Sequence, residues 1–149
     1  MTGRSRRQIL ALGAGGAALA LAGGAADATP QEAAEAIAKF TGGKAAAAGR
    51  ISIDLPEIAE NGNTVPLTIA LDSPMTAEDH VSDILVVAEA NPRPTVVTFH
   101  LTPMSGRAEV ATRIRLAATE NVTVVAKTSK GQLITARKLV KVTVGGCGG

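Results

Sequence analysis

The chain has 149 residues, 46% hydrophobic and 19% charged, with 15 Lys+Arg against 13 Asp+Glu. That is one domain's worth of sequence, apolar enough to bury a core without disulfide staples. With no Trp or Tyr and only Phe40 and Phe99, stacking on bases or sugars is excluded, and two His and one Cys cannot form a Cys/His zinc cluster of the usual spacing.

Residues 1–28 read as an export signal. A basic start (Arg4, Arg6, Arg7) precedes an apolar run from Ile9 to Ala22, and a small-residue stretch ends in Ala26-Asp27-Ala28. The run falls short of the roughly 20 residues a membrane-spanning helix needs. Paired arginines in Ser5-Arg6-Arg7-Gln8-Ile9-Leu10 mark the twin-arginine route, with an ordinary secretory signal as the alternative. The expectation is cleavage after Ala28, export in a folded state and a periplasmic location. Cleavage would remove three Arg and one Asp, leaving 12 basic and 12 acidic residues on 29–149. A near-neutral domain gives no electrostatic case for a nucleic-acid or membrane-surface partner.

Thr29-Pro30-Gln31-Glu32 predicts a helix start, with Thr29 as N-cap, Pro30 at the first helical position and Glu32 closing a capping box. Ala33, Ala34, Ile37 and Phe40 recur at helical spacing, and Gly42-Gly43 stops the helix. Lys44 to Arg50 is an Ala/Gly-rich connector without a clear pattern. The period then changes to two. Ile51 to Leu55 alternates before Pro56, and Val65, Leu67, Ile69 and Leu71 share a face. Ile84 to Ala88 is continuously apolar, as in a more buried strand. After the Asn91-Pro92-Arg93-Pro94 turn, Val97, Phe99 and Leu101 alternate with Thr98 and His100. Val110, Thr112, Ile114 and Leu116 line one face opposite Arg113 and Arg115. Val122, Val124 and Ala126 follow, and Ile134 to Val144 ends the series, with Leu139 facing away from the apolar side. One helix and seven short strands predict a mainly β, immunoglobulin-like, two-sheet antiparallel β-sandwich.

Gly145-Gly146-Cys147-Gly148-Gly149 carries the chemistry. The single cysteine sits between glycine pairs, where no core reaches it. Five such residues extended span at most about 16–18 Å, enough to carry a sulfur into a narrow pocket of another protein. A free thiol with pKa near 8.5 is only a few per cent thiolate at neutral pH, and no His or Lys adjoins Cys147 in sequence to activate it. A carrier fits better than a catalyst. On this reading 145–149 is a swinging arm, and a bulky residue at Gly145, Gly146, Gly148 or Gly149 impairs access more than stability. Cys147 is not a prenylation box, since two residues follow it where that signal needs three.

Val144-Gly145-Gly146-Cys147-Gly148-Gly149 behind a twin-arginine signal resembles the SoxY family, the sulfur-carrier subunits of the bacterial Sox thiosulfate-oxidation system. The resemblance extends through Ile58-Ala59-Glu60-Asn61-Gly62, Val65-Pro66, Asp72-Ser73-Pro74-Met75, Asn91-Pro92 and Thr112-Arg113-Ile114-Arg115-Leu116-Ala117. It implies that Cys147 is the covalent attachment point for sulfur intermediates. It also implies a heterodimer with a SoxZ-like subunit that has no signal of its own. Further implied partners are a c-type cytochrome that joins thiosulfate oxidatively to the cysteine, a manganese hydrolase that releases sulfate, and in some organisms a molybdenum-haem sulfane dehydrogenase. Haem, manganese and molybdenum would belong to those partners. This chain carries no motif for them.

Other readings compete. An exported structural sandwich would use Cys147 for an intermolecular disulfide and a linked dimer. A thiocarboxylate carrier would act through Gly148-Gly149, with Cys147 incidental. A copper protein would draw on Met75, Met104, His80, His100 and Cys147, at spacings that form no recognisable ligand set. Asp54, Glu57 and Glu60 read as solvated carboxylates and not as catalytic ones. For Arg113 and Arg115, cross-strand charge pairing is the plainer expectation, and attraction of an anionic substrate or partner the alternative.

Overall fold

The computed structural model describes residues 30–146. The signal segment, Thr29, Cys147, Gly148 and Gly149 lie outside the described residues.

Helix α1 spans Pro30–Thr41. It ends as the sequence predicts: Gly42 and Gly43 take φ of 65° and 77°, and the Gly43 N–H bonds back to the Ala38 carbonyl at 2.9 Å. Nine strands follow: β1 (Ala47–Ala48), β2 (Ile51–Asp54), β3 (Ile58–Ala59), β4 (Val65–Leu71), β5 (Val81–Ala88), β6 (Thr95–His100), β7 (Ala108–Ile114), β8 (Glu120–Thr128) and β9 (Leu133–Val142). A short 3-10 turn at Pro103–Ser105 links β6 to β7. The seven strands read from the periodicity are all present, with ends shifted by a few residues.

Two sheets face each other. The larger has the order β1-β9-β8-β5-β6, with β3 also on β9, and the smaller the order β2-β4-β7. The long pairings are antiparallel. The two-residue strands are not: β1 runs parallel to β9 through Ala47↔Ile134, and β3 runs parallel to it through Ile58↔Lys141. The antiparallel two-sheet sandwich expected from the sequence is present, with two short parallel pairings at one edge. The chain passes from β1 across to β2 in the other sheet and back to β3, so two short pieces share the free edge of β9. On the opposite side β6 and β7 are both edge strands.

The core lies between the sheets, where Leu67, Ile69, Ile84, Val86, Leu116, Val122, Val124 and Val140 are fully buried. Strand β5 is buried on both faces. Ile84, Val86 and Ala88 face the smaller sheet, while Leu85 and Val87 join Val125 and Ala33 beneath α1, with Ile37 and Phe40 packed against them. The continuous apolar run in the sequence has this cause: the helix covers the outer face of the central strands. No described helix is long and apolar enough to cross a membrane.

Candidate functional site at the root of the C-terminal tail

Cys147 lies outside the described residues, but the segment that delivers it is described up to Gly146. Strand β9 ends at Val142, and the following backbone is held residue by residue. The Thr143 N–H donates to the Ala59 carbonyl at 3.0 Å, and its hydroxyl donates to the Glu60 carbonyl at 2.9 Å. The Val144 carbonyl accepts from the Gly62 N–H at 2.8 Å, and the Gly146 N–H donates to the Leu116 carbonyl at 2.9 Å. The Gly62 carbonyl accepts from the Leu116 N–H at 2.8 Å. Gly62 and Leu116 thus form a backbone clamp with the tail threaded through it.

The clamp explains its glycines by close approach. A Cβ on Gly62 would stand 2.2 Å from the Leu116 carbonyl oxygen and 2.7 Å from the Gly146 nitrogen. One on Gly145 would meet the Ala117 carbonyl oxygen at 2.1 Å, and one on Gly146 the Gly62 carbonyl oxygen at 2.7 Å. Gly146 is buried, not free. At Gly145 and Gly146 the backbone is held against Ala117, Leu116 and Gly62, so bulk at these two positions meets backbone. These two glycines let the tail dock on the fold. The position of Gly148 and Gly149 lies outside the described residues.

Side chains brace the clamp from below. Asn91, buried at the turn after β5, donates from its amide to the Arg115 carbonyl and accepts from the Ala117 N–H, both at 2.8 Å, so it brackets Leu116. Beside it the buried Glu120 accepts the Ala90 N–H on Oε2 at 2.7 Å, while Oε1 has no hydrogen-bond partner. Burial pushes this carboxyl above the usual range, although the N–H groups of Ala90, Ala118, Ala117 and Asn91 favour the carboxylate. The Thr119 hydroxyl accepts the Val142 N–H at 2.9 Å. Asn61-Gly62, Asn91-Pro92 and Arg115-Leu116-Ala117, which are far apart in the chain, meet here. In the sequence these segments carry the family resemblance but give no sign of a shared site.

The remaining candidates are dispersed. Met75 is buried in the core with φ 51°, and Met104 is exposed on the β6–β7 turn. The His80 ring bonds the Thr76 carbonyl at 2.9 Å, and the His100 ring bonds Asp83 at 2.5 Å. Asp83 sits below its usual carboxylate range: burial alone would raise it, but the Ser82 hydroxyl, His100 and Lys127 outweigh that. These residues do not converge as a copper ligand set. Arg113 faces Pro66 across the β4–β7 pair and makes no ion pair among the described residues, so charge pairing is not its role. Leu139 and Ile58 are about half exposed beside Lys138 and Lys141, around a cavity of about 310 Å³.

The SoxY family pattern, "Sulfur oxidation protein SoxY", matches residues 37–147. The solved structure of the sulfur carrier protein SoxY from Chlorobium limicola f thiosulfatophilum matches at 36% identity and a TM-score of 0.63, over 78% of this chain and 100% of that chain. A superoxide reductase (neelaredoxin) from Ignicoccus hospitalis matches at 17% identity and TM-score 0.57, over 63% of this chain and 80% of its own. A superoxide reductase from Nanoarchaeum equitans matches at 9% and TM-score 0.52, over 64% and 100%. At those identities the two reductases share the fold alone. No curated protein sequence matches.

Proposed function

Because the chain belongs to the SoxY family of sulfur oxidation proteins, we propose that it is a periplasmic sulfur carrier that holds its cargo covalently on Cys147. The observation that supports this most is the clamp. The fold spends two sheets, a buried asparagine and three close-packed glycines on holding Gly146, and the next residue is the chain's single thiol.

In the proposed cycle the Cys147 thiol and thiosulfate join through a new S–S bond. One proton leaves the thiol, and two electrons go to a c-type cytochrome. Hydrolysis by a partner enzyme then releases sulfate and leaves sulfane sulfur on the cysteine, which a dehydrogenase oxidises where present. A last hydrolysis frees the thiol. This chain supplies no cofactor in the cycle. It presents the sulfur to its partners on the residue that follows the clamped Gly146. A SoxZ-like subunit is the proposed heterodimer partner, and the exposed Ile58 and Leu139 are the apolar surface we assign to it. Export folded, through the twin-arginine signal on 1–28, would carry that partner along.

The test is intact-protein mass spectrometry of the chain purified from cells grown on thiosulfate, before and after reduction. Sulfane or thiosulfonate adducts that vanish on reduction and in Cys147→Ser support the carrier. A single unmodified mass, or only a dimer joined through Cys147, refutes it and leaves the disulfide-staple reading. N-terminal sequencing of the same material should begin at Thr29.

A further inference from the structure

The open side of the sandwich holds a cavity of about 320 Å³ between edge strands β6 and β7. Arg93, Arg113 and Arg115 line it, together with Thr95, Val96 and Asn91. No carboxylate does. The ion pairs of the described residues lie elsewhere, at His100–Asp83, Lys130–Asp79 and Arg137–Glu89. Each of those cations has an acid within reach, whereas the three arginines of the cavity have none. Arg113 has a single weak side-chain bond, to the Thr64 hydroxyl at 3.5 Å. Three like charges around one concavity repel one another unless an anion joins them, and planar guanidinium forks match tetrahedral oxyanions.

We infer that this cavity binds a small divalent oxyanion of sulfate or thiosulfate size. The charge balance favours a dianion over a single carboxylate, because two or three guanidinium groups share the load. The cavity also adjoins the clamp. Asn91 lines it and at the same time brackets Leu116, whose carbonyl holds Gly146. An oxyanion bound there sits against Arg115, which follows the end of β7 and immediately precedes Leu116 of the clamp, so the sulfonate end of a carried group would also be received there. That last role rests on the carrier reading; the binding itself does not.

The experiment is titration of the full chain with sodium sulfate, and separately with sodium thiosulfate, at constant ionic strength made up with chloride. Binding is read by calorimetry and by backbone amide NMR shifts. Saturable binding is expected, with shifts concentrated at residues 93–96 and 113–115. R113Q and R115Q should each weaken it about tenfold, the loss of one charge-assisted hydrogen bond. R107Q, which removes the same charge from the exposed turn before β7, should leave it unchanged, as should C147S. Equal weakening in R107Q, a linear response without saturation, or retention in both R113Q and R115Q would overturn the site. Loss in C147S alone would place the anion on the tail and overturn it as well. Failure to find sulfur adducts on Cys147 would refute the carrier reading and leave this titration standing. The arginines are at the surface, so the single variants should fold, and circular dichroism checks that they do.

Discussion

Replacing Gly62 by alanine tests the clamp directly. Gly62 does not have positive φ, so alanine brings no conformational penalty of that kind. What it brings is a methyl 2.2 Å from the Leu116 carbonyl oxygen, 2.7 Å from the Gly146 nitrogen and 3.1 Å from a Val142 methyl. Two of these neighbours are backbone and cannot swing aside. Relief requires the Gly62 loop to move away from Leu116, and with it go the bonds Gly62 N–H to Val144, Leu116 N–H to Gly62 and Gly146 N–H to Leu116. At about 1 kcal/mol net for each bond, the loss is roughly 3 kcal/mol. For a domain of this size that lowers Tm by roughly 10–15 °C. The comparison is Gly131→Ala, where φ is +77° and nothing lies within 4 Å, so the cost is the left-handed conformation alone, about 1–2 kcal/mol. Thermal and urea unfolding of both variants should rank Gly62→Ala below Gly131→Ala. If Gly62→Ala matches wild type, or falls no further than the control, the tail is not clamped as described.

Three other outcomes follow from the same geometry. Gly146→Val should cost about 1 kcal/mol, through loss of the Gly146 N–H bond to Leu116, and should raise amide exchange at residues 144–146; an unchanged urea midpoint would contradict it. Glu120→Gln should alter the pH profile of stability. A carboxyl raised in the folded state stabilises most below its unfolded value near 4.5, and that contribution fades as pH rises through the raised value. The wild-type urea midpoint should therefore fall relative to Glu120→Gln as pH is raised from 4.5 toward neutrality, and parallel profiles would refute the assignment. Leu139→Asp should leave Tm unchanged, because the side chain is 52% exposed, while weakening assembly with the proposed SoxZ-like subunit at least tenfold in analytical ultracentrifugation.

Much of this fold was legible because burial writes a period into the sequence. The helix from Pro30 and its Gly42-Gly43 stop, and the seven longer strands, all follow from that pattern. Strands β1 and β3 left no trace, since two residues cannot show alternation and Ala47-Ala48 is as compatible with a loop. Their parallel pairing with β9 is set by tertiary path and not by local preference. Cys147 stands out in the sequence by its flanking glycines, whereas the clamp does not. It is built from main-chain N–H and carbonyl groups, which every residue carries, and only Gly62, Gly145 and Gly146 hint at it through the absence of a side chain. Asn-Gly at 61–62 and Asn-Pro at 91–92 looked like ordinary turn signals. The sense of Arg113 depended on what stands opposite, and Pro66 offers it no charge.

The placement of β9 has a consequence for how the molecule is made. β8 on one side, and β1 and β3 on the other, all find their partner in this strand, which is synthesised after the rest of them. The larger sheet therefore cannot close while the nascent chain is still growing toward residue 142, and earlier segments must wait with exposed edges. Message truncated before that point would leave only β8, β5 and β6 of the larger sheet paired. Completion of the larger sheet is thereby tied to the stretch of translation that lies just ahead of Cys147.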